Sequence, residues 1–124
     1  MKIIKFNKDK EAIGSQYYFH TLLHIFLTHA GESLKSFTYF DKRDTSVLVN
    51  HVATYIGMIN EVPAAYGHLD EEEDKVWLGI VVADGYRRQG LGNKMMDQLV
   101  RGGEENNLEI ISLSVYKSNP VAYK

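Results

Sequence analysis

The residues with the clearest chemical meaning stand between a predicted strand and a predicted helix, and they read Arg87-Arg88-Gln89-Gly90-Leu91-Gly92-Asn93. Glycines at such a junction remove side chains, so that backbone N–H groups can approach an anion. The unbonded N–H groups and the positive dipole end of a starting helix bind phosphate. Arg87 and Arg88 add positive charge at the same place. The segment therefore predicts a site for a phosphorylated ligand.

Two common nucleotide-binding motifs are excluded at this junction. The Walker pattern needs a following Gly-Lys-Ser/Thr, and the dinucleotide pattern needs a third glycine and an early strand-helix-strand unit; both are missing. The alternative without a ligand is that Gly90 and Gly92 serve only a tight turn and that the two arginines are solvated.

Histidines and tyrosines supply the other candidate groups. His20 and His24 lie four residues apart on a predicted helix, but the pattern offers no third ligand, so packing is favoured and no metal site is predicted. The neighbouring cluster Tyr17, Tyr18 and Phe19 either lines a pocket or belongs to the core. The chain has no cysteine, which excludes disulfides, thiol catalysis and cysteine-based zinc sites.

Length and charge bound the class of protein. We expect one domain over residues 1–124. Fourteen basic and sixteen acidic residues give a net charge of -2, so neither nucleic acid nor a membrane surface is a predicted partner. The most apolar stretch, residues 17–30, is too short to span a bilayer. A cytoplasmic protein is the expectation.

Hydrophobic periodicity predicts the elements that hold the junction. A strand is expected at Ile3–Phe6 and a helix at 8–30, with an apolar stripe of Ile13, Tyr17, Leu22, Ile25, Phe26 and His29. A short helix is expected at 33–37, and residues 41–44 read as a charged turn.

The second half of the chain reads mainly as strands. A β-rich stretch at 47–59 is followed by a turn at Asn60-Glu61 and a strand at 64–69. The five acids of 70–74 predict an exposed hairpin tip. A buried strand at 75–82, a helix from about Gly90 to Asn106 and a strand at 108–115 complete the pattern. Strand, helix and strand in this order predict a parallel pair, and Trp77 is expected to be structural.

The junction resembles a known family signature. Arg87-x-x-Gly90-x-Gly92 is similar to the Gln/Arg-x-x-Gly-x-Gly/Ala motif of the GCN5-related N-acetyltransferases, and it follows the fourth strand as it does there. Asn119-Pro120-Val121-Ala122-Tyr123 resembles the second cofactor segment of that family. The resemblance implies an α/β (α+β) fold, with a mixed, mostly antiparallel sheet flanked by helices and a parallel, splayed fourth and fifth strand. It also implies direct acetyl transfer from acetyl-CoA to an amine.

The resemblance carries roles to particular positions. The pantetheine arm is expected on the backbone of Ile80, Val81 and Val82, and Asn119 is expected to contact the cofactor. The pyrophosphate is expected on the signature loop, Arg87, Arg88, Gln89, Gly90, Leu91, Gly92 and Asn93. An amide of Val81 or Val82 is the expected oxyanion donor.

The sequence departs from the family pattern at the groups that move protons. Val76 stands where some relatives carry a glutamate, which leaves His68, Glu73 or Asp74 as candidate bases, with His68 the named catalytic candidate. Relatives continue with a thiol-protonating Tyr and further strands, whereas this sequence ends at Lys124, so that Tyr is missing unless Tyr116 or Tyr123 substitutes. Either a truncated domain or a partner subunit that supplies the missing surface is expected.

Three functions follow from these residues. The first is N-acetylation of a small amine, an amino sugar or a protein amine. The second is a catalytically impaired acyl-CoA-binding or regulatory module. The third is a scaffold in which an open sheet edge pairs with a second copy, giving a homodimer.

Overall fold

The computed structural model describes residues 1–108 together with the backbone of Ser112 and Leu113. Its strands are β1 Lys2–Lys5, β2 Ala53–Ile59, β3 Val62–Glu72, β4 Lys75–Val82 and β5 Ser112–Leu113. Its α-helices are α1 Ile13–His29 and α2 Leu91–Glu105. Short 3-10 helices lie at Gly31–Ser36, Tyr39–Asp41, Thr45–Asn50 and Asp84–Tyr86.

The sheet has five strands whose spatial order follows the chain, β1-β2-β3-β4-β5. The first four pair antiparallel, and Trp77 and Leu78 of β4 pair parallel with β5. The predicted class, a mixed and mostly antiparallel sheet flanked by helices, is confirmed. The splay predicted beyond this pair falls largely on residues outside the described part of the chain.

Two-residue turns join β2 to β3 and β3 to β4. Asn60, Glu61, Glu73 and Asp74 all have positive φ angles, between 48° and 66°. Positive φ at both central residues is the mark of a type I′ turn, whose twist matches that of the flanking strands. The turn predicted at Asn60-Glu61 is confirmed.

The acidic segment 70–74 forms the predicted exposed hairpin tip at residues 73 and 74, but its first three residues belong to β3, which corrects the prediction in part. Asp70, Glu71 and Glu72 pair with Trp77, Val76 and Lys75, and only residues 73 and 74 make the turn. Alternation separates the charges, because neighbouring residues of a strand point to opposite faces. Asp70 accepts a hydrogen bond from the Tyr39 hydroxyl, and Glu72 forms an ion pair with Arg43.

The two helices cover opposite faces of the sheet. One core forms between α1 and the sheet, and α1 contributes Phe19, Leu22, Leu23 and Phe26 to it. The other forms beneath α2, which contributes Met95 and Leu99. No helix in the described part of the chain is long and apolar enough to cross a bilayer.

The inward stripe predicted for α1 is wrong in part. Ile13, Tyr17 and Ile25 are 71%, 76% and 46% exposed, while Leu22 and Phe26 are buried as predicted. The helix is apolar around most of its circumference, so periodicity did not select the correct face. It also begins at Ile13 rather than at residue 8, because Asn7 and Asp9 side chains cap a preceding turn.

The β-rich stretch predicted at 47–59 becomes a strand only from Ala53. Residues 45–50 form a 3-10 helix, and the Asp44 side chain accepts a hydrogen bond from the backbone N–H of Ser46 at its start. A local cap therefore outweighed the β preference of Val47 and Val49.

Candidate functional site

The junction between β4 and α2 is a loop with left-handed backbone at two residues. Arg88 has φ of 66°, and Gly90, which directly precedes α2, has φ of 77°. An added side chain at Gly90 would meet nothing within 4 Å, and one at Gly92 would meet only Val82, at 4.0 Å. The glycines therefore leave an open surface above the start of the helix.

The backbone N–H groups at the start of α2 have no internal partner among the described residues. None of these residues accepts a backbone hydrogen bond from the amides of 90–93, and the first bond of the helix is donated by Lys94 to the carbonyl of Gly90, at 3.1 Å. Unbonded amides at a helix start, with no side chain covering them, are the structural requirement for holding an anion.

Beyond Leu78, no described residue pairs with the edge of β4 that leads to this loop. Ala83 donates its N–H to the carbonyl of Ala64, at 2.9 Å. Since amide direction alternates along an antiparallel ladder, Val81 also points its N–H to β3, whereas Ile80 and Val82 point theirs to the opposite edge. Of the two amides named for the oxyanion, that of Val82 faces this edge and that of Val81 does not.

A polar cluster attaches the loop to the segment after α1. The Asp84 carboxylate accepts hydrogen bonds from the N–H of Glu32 and from the N–H and hydroxyl of Ser33, at 2.6, 2.9 and 2.6 Å. Arg87 Nε donates to the Ser33 hydroxyl oxygen at 3.0 Å. The bond from the Ser33 hydroxyl, with that from the Glu32 amide, lowers the pKa of Asp84 below its usual value.

His68, the candidate base, lies on β3 and is buried on the face of the sheet opposite to α2. It is 3% exposed, and its Nδ1 lies 2.7 Å from the Tyr66 hydroxyl. A side chain at Gly79 would collide with its Nε2 and with Phe37. Burial, with smaller contributions from His51 and Arg43, holds the pKa of His68 well below 6.5, so the ring is neutral and only weakly basic.

A second histidine belongs to the same buried group. His51 Nε2 lies 2.7 Å from the Tyr39 hydroxyl, which donates to Asp70 at 2.7 Å, and His51 Nδ1 lies 2.8 Å from the Thr54 hydroxyl. Burial lowers the pKa of His51 to about 4. Burial and the bond to Asp70 raise the pKa of the Tyr39 hydroxyl. Sequence reasoning did not single out Tyr39, His51 or Asp70, because their meeting depends on how residues 37–51 fold onto the sheet.

The remaining candidates are dispersed. Glu73 and Asp74 form the exposed hairpin turn. Phe19 is core, whereas Tyr17 and Tyr18 are exposed. His20 packs edge-on against Phe6, at 5.6 Å between ring centroids.

Several sequence-based assignments fall outside the described residues, namely Asn119, Tyr116 and Tyr123. Ser33 and Asp84, by contrast, are described but were not predicted. They are 51 residues apart, and no spacing in the sequence announces their contact.

Comparison with known proteins identifies the family to which the chain belongs. The acetyltransferase (GNAT) family profile matches residues 16–124. No curated protein sequence matches the chain. Similar solved structures show the same fold at low identity.

Escherichia coli ElaA is 14% identical, with a TM-score of 0.70 over 99% of this chain and 83% of that one. A GNAT family acetyltransferase from Streptococcus pneumoniae TIGR4 is 15% identical, with a TM-score of 0.60 over 94% and 76%. The aminoglycoside N-acetyltransferase AAC(6')-Iy, solved in complex with CoA, is 16% identical, with a TM-score of 0.61 over 98% and 81%.

Proposed function

Because the chain belongs to the acetyltransferase (GNAT) family, we propose that it transfers an acetyl group from acetyl-CoA to a primary amine by direct attack. The observation that carries this proposal is the row of backbone amides at 90–93 without a partner among the described residues, beside the edge of β4 beyond Leu78. The amides suit a pyrophosphate, and the edge suits an amide-containing arm such as pantetheine.

The described residues fit such a ligand in shape and charge. Gly90 and Gly92 carry no Cβ that would cover the amides, and Arg87 and Arg88 supply positive charge. Ile80 and Val82 offer outward backbone groups for pairing with the arm. Asn119, which lies outside the described residues, stays a predicted contact.

The chemistry places three demands on the protein. The C–S bond of the acetyl-CoA thioester breaks as the C–N bond forms, so the departing CoA thiolate has to take up a proton, which solvent supplies. The attacking amine has to be neutral, although a free primary amine is mostly protonated near pH 7. The oxygen of the attacked carbonyl gains negative charge and needs a donor. We assign that donor to the amide of Val82, which faces the same edge.

Proton removal is assigned to solvent water rather than to a side chain in contact with the amine. His68 is neutral, but it is nearly sealed from solvent and its depressed pKa makes it a weak acceptor. Its catalytic role stays a prediction. Replacing His68 by Gln and measuring the rate against pH would reveal such a role as the loss of a titrating step.

The acceptor class is the least constrained part of the proposal. Two of the similar structures are aminoglycoside acetyltransferases, one solved with CoA and one with sisomicin, which favours a small polyamine as the first acceptor to test. The cytoplasmic location and the homodimer also stay predictions.

A matched pair of glycine variants tests the anion site. Gly92 and Gly14 are each the second residue of an α-helix, and each faces open space or a contact no closer than 4.0 Å. Glutamate at either position suits the positive end of its helix, so both variants should fold. Only Gly92→Glu sets a carboxylate over the proposed pyrophosphate position. We expect its dissociation constant for CoA, measured by calorimetry, to rise about tenfold or more, while Gly14→Glu matches the wild type.

Activity is then measured as release of free thiol across a panel containing an aminoglycoside, an amino sugar, a polyamine and a lysine peptide. Turnover on any of these amines supports the transfer reaction. Tight CoA binding without turnover on the panel favours the impaired acyl-CoA-binding module instead. Equal CoA affinity of the two glutamate variants would refute the anion site at the junction.

A further inference from the structure

The cluster of Ser33, Asp84 and Arg87 has a fixed hydrogen-bond direction. A carboxylate only accepts and a guanidinium only donates, so the Ser33 hydroxyl must donate to Asp84 and accept from Arg87. Ser33 is 2% exposed, so water does not readily replace either bond. Residue 33 therefore requires a side chain that donates one hydrogen bond and accepts another at the same time.

The backbone around the cluster is shaped to bring these residues together. Asp84 donates its own N–H to the carbonyl of Ala30 at 3.0 Å. Gly31 has φ of 76°, and a side chain there would overlap the Asp84 carboxylate. Only glycine satisfies both conditions at residue 31, which makes the close approach of Asp84 to the end of α1 a specific feature of this chain.

The guanidinium group of Arg87 is hydrogen-bonded through Nε, whereas its two terminal nitrogens have no partner among the described residues. Its Nε is bound to Ser33, and no described residue accepts a hydrogen bond from its terminal Nη atoms. The Asp84 oxygens are occupied by donors of residues 32 and 33, so they do not pair directly with the guanidinium. The two terminal nitrogens remain available for bidentate contact with a phosphate.

We propose that Ser33 and Asp84 are positioning residues that orient the Arg87 guanidinium toward the pyrophosphate of CoA. The proposal rests on the function proposed above. It gives the segment Gly31–Ser36 a role in ligand affinity, although that segment contributes no atom to the anion site itself.

The test compares two ligands of which only one contains the pyrophosphate. Coenzyme A carries it together with a 3′-phosphorylated adenosine, whereas pantetheine is the arm alone. In Ser33→Ala and Asp84→Asn we expect the dissociation constant for CoA, measured by calorimetry, to rise about tenfold, because Arg87 loses its orientation. Affinity for pantetheine should stay at the wild-type value. A general loss of structure would weaken both ligands equally and would overturn the proposal.

Asp44 supplies a matched control. Like Asp84, it accepts a backbone N–H at the start of a six-residue 3-10 helix, but it makes no contact with the junction. Asp44→Asn should therefore leave CoA affinity unchanged, and an effect equal to that of Asp84→Asn would overturn the proposal. In an Arg87→Ala background, Ser33→Ala should cause no further loss, and full additivity would contradict the assigned path.

The outcomes separate the two proposals. If the wild-type protein binds no CoA, the proposed function fails. If it binds CoA and both positioning variants bind equally well, the function stands and the role of Ser33 and Asp84 is refuted.

Discussion

Two glycines of the signature meet different demands, although they are two residues apart. Gly90 adopts left-handed backbone, which is costly for any residue with a Cβ. Gly92 lies inside α2, without a positive φ and with open space where a Cβ would stand. The motif that this segment resembles allows alanine only at the second position, and the backbone explains that difference.

Alanine substitution should therefore act in opposite directions at the two sites. We expect Gly90→Ala to lower the free energy of unfolding by about 1–2 kcal/mol through backbone strain. Gly92→Ala should raise it by up to about 1 kcal/mol, because alanine favours helix. Urea unfolding of both variants measures this, and equal destabilisation would mean that the junction has a different backbone.

The backbone of the junction could be predicted from single residues, because glycine spacing at 87–93 reports on backbone shape, whereas the ligand contacts of these residues stay predictions. The environment of His68 could not be predicted, because it depends on Tyr66, Phe37 and the absence of a side chain at Gly79, which meet only in three dimensions.

At the scale of elements, α2 packs on the sheet through a close approach at Gly67. A Cβ there would lie 2.7 Å from Met95 Cγ and 3.1 Å from a methyl of Leu99. A similar contact explains Gly102 near the end of the helix, where a Cβ would crowd the Tyr55 hydroxyl. Both glycines leave room for a side chain of the opposing element, and neither interrupts the strand or helix in which it lies.

Filling the first of these spaces should push α2 away from the sheet. We expect Gly67→Ala to lower the free energy of unfolding by about 1–3 kcal/mol through overpacking. Gly85→Ala, which adds a methyl group in open space, should leave it nearly unchanged. Thermal or urea unfolding of both variants measures the difference. An unchanged free energy of unfolding in Gly67→Ala would show that the Met95 side chain readily moves aside.

Strong patterns predicted the elements correctly, and ambiguous ones did not. The strand at 75–82 and the helix after Gly90 have the predicted bounds within a residue. The face of α1 was mispredicted because its apolar residues surround the helix. The acids of 70–72 were mispredicted because Tyr39 and Arg43, distant in sequence, compensate their charge.

At the scale of the whole molecule, the buried histidines make stability depend on pH. His51 and His68 have folded pKa values below 6.5, that of His51 at about 4, so the unfolded chain binds more protons as the pH falls below 6.5. Their contribution is fully present above pH 6.5 and is lost as the pH falls below that value. The pKa values of Asp44 and Asp84 are also lowered. Their contributions to stability are lost only as the pH falls below about 3.8.

We therefore expect the free energy of unfolding to fall between pH 6.5 and pH 4.5, by about 1.4 kcal/mol per pH unit for each of the two histidines. Urea unfolding across this range measures the slope. His51→Gln should remove the share of His51 from the slope. An unchanged slope in His51→Gln would show that His51 does not resist protonation in the folded state.

The two type I′ turns have a consequence for how the chain assembles. They join β2, β3 and β4 into a meander whose contacts are close in sequence, and such contacts form quickly. β5 follows α2 in the chain. During synthesis the outer edge of β4 therefore remains unpaired until β5 has been made. The outer edge of β4 is thus covered late, and we expect the nascent protein to be most prone to aggregate just before β5 pairs with it.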